Sequence, residues 1–262
     1  MNFPALLRDC PMPSTRYLGI SSLIDSLQDL GKPIRVLLDL SPQLSSHEKL
    51  FQANRLQRLN PSYYPVESIA YSVLKRTFDL SAAILGVVVL IPLLLTIALL
   101  VKLRSPGPVL FQQERIGRHG KRFTMLKFRT MYCSDIAESD TVWTTRNDPR
   151  CTNLGVVLRK FSLDELPQLF NVIRGEMSLV GPRPERPHFV AKFRAKIQKY
   201  NMRHCCRVGI TGWAQIHGLR GDTSIPDRLQ HDLYYLHHWS FALDIQIIVR
   251  TMFTALQDKN GC

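Results

Sequence analysis

Two adjacent carboxylates, Asp164 and Glu165, lie in LRKFSLDELPQLFNVIRGEMS, with Arg159 upstream and Arg183 downstream in the tetrad GPRP at 181–184. A carboxylate can bind Mg2+ or attack a phosphoryl group, provided cations neutralise the phosphate oxygens it approaches. Guanidinium groups suit that task because they make planar, bidentate phosphate contacts. Lys121, Arg122, Lys127 and Arg129 follow the Gly117–Gly120 turn and enlarge the cationic supply. They read either as a basic interfacial surface for acidic headgroups or as ligands for substrate phosphate. An enzyme of phosphates held at a membrane needs both. Asp164 on its own reads equally as a helix cap.

The elements that must position these groups follow from periodicity. Leu166, Leu169, Phe170 and Ile173 recur at i, i+3, i+4 and i+7, which predicts a helix with one apolar face, stopped by Gly175. Ser162 and Glu165 have capping-box spacing, but that register puts Pro167 at N5, where its missing N–H is felt. With Asp164 as N-cap, Pro167 falls at N3 and no backbone bond is lost. The second register is expected, and it sets both acids at the positive helix end. Upstream, SPGPV (105–109) is a turn and LFQQERIGRHGKRFTMLKFRTM reads as two short strands. The aperiodic stretch from Tyr132 to Asn153 reads as a long loop near the site.

Downstream, Phe189, Phe193 and Ile197 alternate with Arg186, Lys192, Arg194, Lys196 and Lys199, as in a basic interfacial helix. GITGWAQIHG (209–218) reads as a loop. Asp232 to Leu256 is helical in pattern, and its Tyr234, Tyr235, Trp239, Phe241 and Phe253 suit an aromatic belt or, equally, core packing.

Leu80 to Val101 is an uncharged run of 22 residues, at about 1.5 Å per residue long enough for the hydrocarbon core. Pro92 lies at its middle and predicts a bend. Lys75 and Arg76 precede the run and Lys102 and Arg104 follow it, so the positive-inside tendency puts both flanks on the cytoplasmic side. A re-entrant helix that breaks at Pro92 and returns satisfies both observations. A single crossing remains the alternative.

Over the 262 residues, 34 Lys and Arg against 21 Asp and Glu give +13, which points to an anionic partner. The charge stands beside membrane features and no nucleic-acid motif accompanies it, so nucleic acid is not expected. At 45% hydrophobic content the chain is not disordered. Six cysteines without a CxxC pair, and no secretory signal, suit a reduced compartment. His204, Cys205 and Cys206 are not expected to bind metal, because adjacent cysteines point apart. Residues 1–70 carry net +1 and form a separate zone, an N-terminal extension with an α/β fragment (SSLIDSLQDLG, IRVLLDLS), distinct from a catalytic domain at 71–262.

Taken in order, KRTFD (75–79), the proline-broken apolar segment (about 80–101), SPGPVLFQQERIGRHGKRFTMLKFRTM, LRKFSLDELPQLFNVIRGEMSLVGPRP, GITGWAQIHG and the LYY around Tyr234 resemble the bacterial sugar transferase family. These are monotopic polyprenyl-phosphate phosphoglycosyl transferases. The resemblance implies a mainly α fold with a small β element, a re-entrant hydrophobic helix bent at Pro92, and interfacial amphipathic helices. It implies transfer of a sugar 1-phosphate from a nucleotide diphosphate sugar, usually a UDP-sugar, to undecaprenyl phosphate through a covalent aspartyl intermediate. The family's Asp-Glu dyad falls on Asp164 and Glu165, with Glu165 either a base or a metal ligand, and Mg2+ is the family's cofactor. Its phosphate-binding residues match Lys127, Arg129, Arg159 and Arg183. A bacterial inner membrane, with the catalytic domain on its cytoplasmic face among anionic lipids, is the implied location, and homo-oligomerisation stays open. Val208 departs from the family's usual proline. A catalytically inactive membrane-surface scaffold for polysaccharide assembly is the competing expectation, against which both intact acids weigh.

Overall fold

The structure is a computed structural model describing residues 69–132, 148–221 and 223–257. The N-terminal α/β fragment and most of the 132–153 stretch lie outside the described residues.

Helix α1 (Ile69–Arg104) has 36 residues, which at about 1.5 Å each exceeds a hydrocarbon core. Ala83, Val87, Leu90, Leu94, Ile97 and Val101 face inward at alternating steps of four and three, and pack into the two core clusters beneath. The opposite face leaves Leu85, Val88, Val89, Leu95, Leu99 and Leu103 more than half exposed. Such a length of bare aliphatic surface has no soluble role. Its most apolar window has a mean hydropathy of 3.1 and is only 17% buried, so the chain is membrane-associated.

Helical geometry continues through Pro92, where the sequence predicted a break. Proline removes one donor but leaves the helix intact when packing on both sides holds it, as Leu90 and Leu94 do here. The Thr96 hydroxyl donates to the Pro92 carbonyl at 2.8 Å, a back-bond of the kind that bends a helix slightly, whereas the carbonyl that Pro92 leaves without its donor is that of Val88.

Both ends of α1 are fastened to the same body. At the start, the Lys75 ammonium lies 3.0 Å from both Asp79 and Asp244, all three buried. Arg76 donates to the carbonyls of Val172 and Ile173 at 2.6 and 2.8 Å. At the end, Arg129 holds the carbonyl and hydroxyl of Ser105 at 2.7 and 2.8 Å.

The expected hairpin is present. Strands β1 (Leu110–Ile116) and β2 (Arg122–Phe128) pair antiparallel from Leu110 opposite Phe128 to Ile116 opposite Arg122. Helix α2 (Asn153–Lys160), capped by the Thr152 hydroxyl on Gly155 N–H at 2.9 Å, replaces the end of the predicted loop. Helix α3 (Gln168–Arg174) ends at Gly175, whose φ of 85° is the left-handed stop the sequence suggested. It buries Leu169 and Val172, whereas Phe170 is 40% exposed and Leu166 precedes the helix.

GITGWAQIHG is not a loop. Strand β3 (Ser178–Val180) pairs in parallel with β4 (Gly209–Thr211), and α5 (Trp213–Ile216) follows. A Cβ on Gly209 would collide with the Gly181 backbone, so glycine here permits close approach rather than a turn. Helix α4 (Pro187–Arg194) is shorter than the basic helix expected. Phe189 is buried, and Phe193 meets Phe189 and Tyr200 at centroid distances of 5.9 and 5.6 Å, so these rings face protein rather than lipid.

The final stretch is two helices, α6 (Ile225–His238) and α7 (Phe241–Gln257). Its aromatics divide between the two expected uses. Tyr235 is core and bonds Asp244 at 2.8 Å, and Trp239 bonds the same carboxylate at 3.1 Å. Phe253 is exposed, and Tyr234 stacks on Trp213 at the surface.

Candidate phosphate-handling site

Hairpin, turn and loop converge on one small cluster. Lys127 comes from β2, Asp164 and Glu165 from a 3-10 turn (Leu163–Glu165), and Arg183 from the loop after β3. The turn arises because Ser162 adopts φ 55° and Pro167, not Asp164, stands just before α3. Neither predicted capping register is therefore used. Pro167 as the residue before α3 has no missing bond, and Asp164 is released from capping.

The two acids have different surroundings. Glu165 Oε1 accepts from Lys127 Nζ at 2.7 Å and from Arg183 Nη2 at 2.8 Å. Burial alone would push the Glu165 carboxyl up, but the charges and hydrogen bonds of Arg183 and Lys127 outweigh it and hold it well below the usual range. Asp164 is 6% exposed and, among the described residues, accepts no hydrogen bond and has Lys127 Nζ, at 4.0 Å, as its nearest cation. Burial, with the neighbouring Glu165 charge, pushes the Asp164 carboxyl up, while Lys127 opposes. Burial likewise lowers the Lys127 ammonium pKa. The cluster thus holds one neutralised carboxylate and one whose oxygens are uncommitted.

The other predicted phosphate ligands divide. Arg159 lies within electrostatic reach of Asp164, its Nε on the Thr130 hydroxyl at 2.9 Å and Nη1 on Cys151 Sγ at 3.2 Å. Arg129 is instead buried on Ser105, where it fastens the end of α1. Among the described residues no group of three or more metal-ligating side chains occurs. The two acids alone would still suit Mg2+, which is characteristically held by one or two carboxylates together with substrate phosphates. Asp164 fits that role, whereas Glu165 would have to share its oxygens with two cations.

Three further arginines, not foreseen from sequence, fix the loop that carries Arg183. Arg115 donates to the Pro184 carbonyl at 3.0 Å, Arg203 to the Arg183 carbonyl at 2.9 Å, and Arg228 to the Glu185 carboxylate at 2.7 Å. Arg203 in turn pairs with Asp232 at 2.7 Å, both nearly inaccessible. Arg115 lies inside a recognised block and Arg203 and Arg228 outside the blocks, and the sequence offered no signal beyond their being arginine.

An apolar helix lying along a body that holds a carboxylate-cation cluster defines a membrane-associated protein. The chain belongs to the bacterial sugar transferase family, whose pattern matches residues 70–258. It is 40% identical over 246 residues to the UDP-glucose:undecaprenyl-phosphate glucose-1-phosphate transferase of Escherichia coli K12, covering 92% of this chain and 52% of that protein. It is 40% identical over 228 residues to the UDP-N-acetylgalactosamine-undecaprenyl-phosphate N-acetylgalactosaminephosphotransferase of Aeromonas hydrophila, covering 86% of this chain and 52% of that one. It is 41% identical over 230 residues to a Caulobacter vibrioides UDP-glucose:undecaprenyl-phosphate glucose-1-phosphate transferase, covering 86% and 85%. The chain thus spans about half the length of the first two relatives.

Proposed function

We propose that this chain transfers a sugar 1-phosphate from a UDP-sugar to undecaprenyl phosphate, starting assembly of a surface glycan. The observation that carries this reading is the uncommitted Asp164 carboxylate beside a Glu165 already neutralised by Lys127 and Arg183. An acid intended only to balance charge would be paired as Glu165 is.

In the proposed reaction an Asp164 oxygen attacks the sugar-proximal phosphorus of the donor. The bond from that phosphorus to the bridging oxygen breaks, and its electron pair leaves with the nucleoside monophosphate. The sugar phosphate remains on Asp164 as an acyl phosphate. An oxygen of polyprenyl phosphate then attacks the same phosphorus, the Asp164 carboxylate departs, and a lipid-linked diphosphate sugar results. Two displacements let the water-soluble donor and the lipid acceptor enter in turn. Lys127 and Arg183 are placed to offset charge on the attacked phosphate. Glu165 fixes both cations, and its lowered pKa suits that task better than proton abstraction. Asp164, with the donor's phosphates, would hold Mg2+. That ion would supply further charge neutralisation.

The same reading holds α1 at the bacterial inner membrane, with the body on the cytoplasmic face. Exposed Lys102, Arg104, Lys121 and Arg122 suit anionic headgroups. Mass spectrometry of the intact protein tests the reaction. With its cognate UDP-sugar and no acceptor, the chain should gain one sugar-phosphate increment and lose it when undecaprenyl phosphate is added. Transfer without any trappable increment would remove the covalent route. No transfer from any UDP-sugar would favour the scaffold.

A further inference from the structure

Thr130, just beyond β2, is 6% exposed and grips both ends of α2. Its carbonyl accepts from the N–H of Thr152 at 2.9 Å and from the Thr152 hydroxyl at 3.3 Å, and Thr152 is the residue that caps the helix. Its own hydroxyl accepts from Arg159 Nε, in the last turn, at 2.9 Å. A Cβ on Gly155 would collide with the Thr130 carbonyl, so glycine is what lets the helix come so close.

Arg159 is thereby fixed by two of its three nitrogens. Nε is on Thr130 and Nη1 on Cys151 Sγ at 3.2 Å, whereas Nη2 has no hydrogen bond among the described residues. The side chain is half-buried rather than sealed, and its charge acts on Asp164. The other two cations acting on that carboxylate, Lys127 and Arg183, are already engaged by Glu165. Asp148, whose field also reaches Arg159, bonds Arg150 instead. A hydroxyl and a thiol orient Arg159 without neutralising it. A guanidinium tied at Nε and Nη1 is held in its plane, and the remaining nitrogen suits a phosphate oxygen.

We propose that Thr130 is a positioning residue, whose hydroxyl sets the Arg159 guanidinium so that Nη2 is kept for a phosphate oxygen of the donor beside Asp164. The inference rests on the transferase reading and adds to it the group that orients its third cation. A cation set in place before the substrate arrives needs no reorganisation as charge develops.

The test measures binding of UDP, which carries the diphosphate common to UDP-sugars, to the full chain in detergent by calorimetry. Thr130→Val, of similar shape without the hydroxyl, should weaken UDP about 3- to 10-fold, and Thr130→Ser should stay within about 2-fold of wild type. Thr130→Ala takes the place of Thr130→Val if the latter fails to fold. The same substitutions in an Arg159→Met background should cost nothing further, because the group that Thr130 orients is gone. An unchanged UDP affinity in Thr130→Val, a loss in Thr130→Ser as large as in Thr130→Val, or an equal loss with and without Arg159 would each overturn the positioning role. So would a wild type that does not bind UDP. The measurement needs no turnover. A wild type that shows the expected pattern but never forms the sugar-phosphate adduct keeps the role of Thr130 and removes the covalent route instead.

Discussion

Arg203 donates from its buried guanidinium to the main-chain carbonyl of Arg183, at 2.9 Å. The contact is to backbone, so it fixes where the Arg183 side chain starts rather than competing for it. Arg203 also meets Tyr200 at 2.9 Å and Asp232 at 2.7 Å, a fork that lysine cannot reproduce. Arg203→Lys should therefore lower the rate of adduct formation about 10-fold or more in protein that is still folded. Its KM for the donor should rise as Arg183 loses its place. A mutant less stable but kinetically normal at low temperature would make Arg203 a scaffold residue only.

Asp164→Asn should abolish the adduct and turnover while making the protein more stable. The buried Asp164 carboxyl has its pKa raised above the ordinary 3.8, so the folded state binds its proton more tightly than the unfolded chain does. Its contribution is therefore unfavourable above that ordinary value, and it grows as pH rises toward the raised one. Asparagine removes the charge and keeps the shape. Thermal unfolding at neutral pH should show a gain of about 0.5–2 kcal/mol, the usual size of a single stabilising substitution.

The same raised pKa predicts the acid limb of the first half-reaction. Adduct formation requires ionised Asp164 and should fall as pH drops through a value above 3.8, while Glu165, held low, stays charged. Because Lys127 favours the Asp164 charge, Lys127→Met should move that limb to higher pH besides slowing the reaction. Rapid-quench measurements of adduct formation as a function of pH would locate it. A limb that does not move would assign the titration elsewhere.

Glu165→Gln should leave Lys127 and Arg183 facing each other without their shared carboxylate. Stability should fall by about 1–3 kcal/mol, less than for a fully buried pair because Arg183 is 29% exposed. Adduct formation should slow as the two cations separate. If turnover survives while stability drops, Glu165 only holds the site together.

Single cysteines at Val73 and Arg104, with native thiols removed, should label from the same side of closed vesicles. Both positions are exposed, and the helix between them lies on one body. Labelling from opposite sides would restore the single crossing.

The sequence made some of this visible and concealed the rest for identifiable reasons. The hairpin was legible because alternating residues flank a Gly-bounded turn, and Gly175 was legible as a helix stop. Asp164 and Glu165 were legible as a pair, but not their different fates, since adjacent residues in a 3-10 turn point into different surroundings. The β3–β4 pairing was hidden because two three-residue strands carry no period, and close contact between Gly181 and Gly209 looks, in sequence, like loop glycine. Arg129 and Arg159 seemed equivalent as cations. Only folding separates the one fastened to Ser105 from the one near Asp164.

Helix α1 is secured by Lys75, Asp79 and Asp244 at one end and by Ser105 and Arg129 at the other. A helix free to tilt adapts to the thickness of its bilayer. This one takes its inclination from the protein, as a keel takes its angle from the hull. The height of Asp164 above the lipid surface is then a fixed dimension of the molecule, and the phosphate of the acceptor must come to that height. Acyl-chain length should hardly affect the reaction, whereas the distance of the acceptor phosphate from the glycerol plane should affect it strongly.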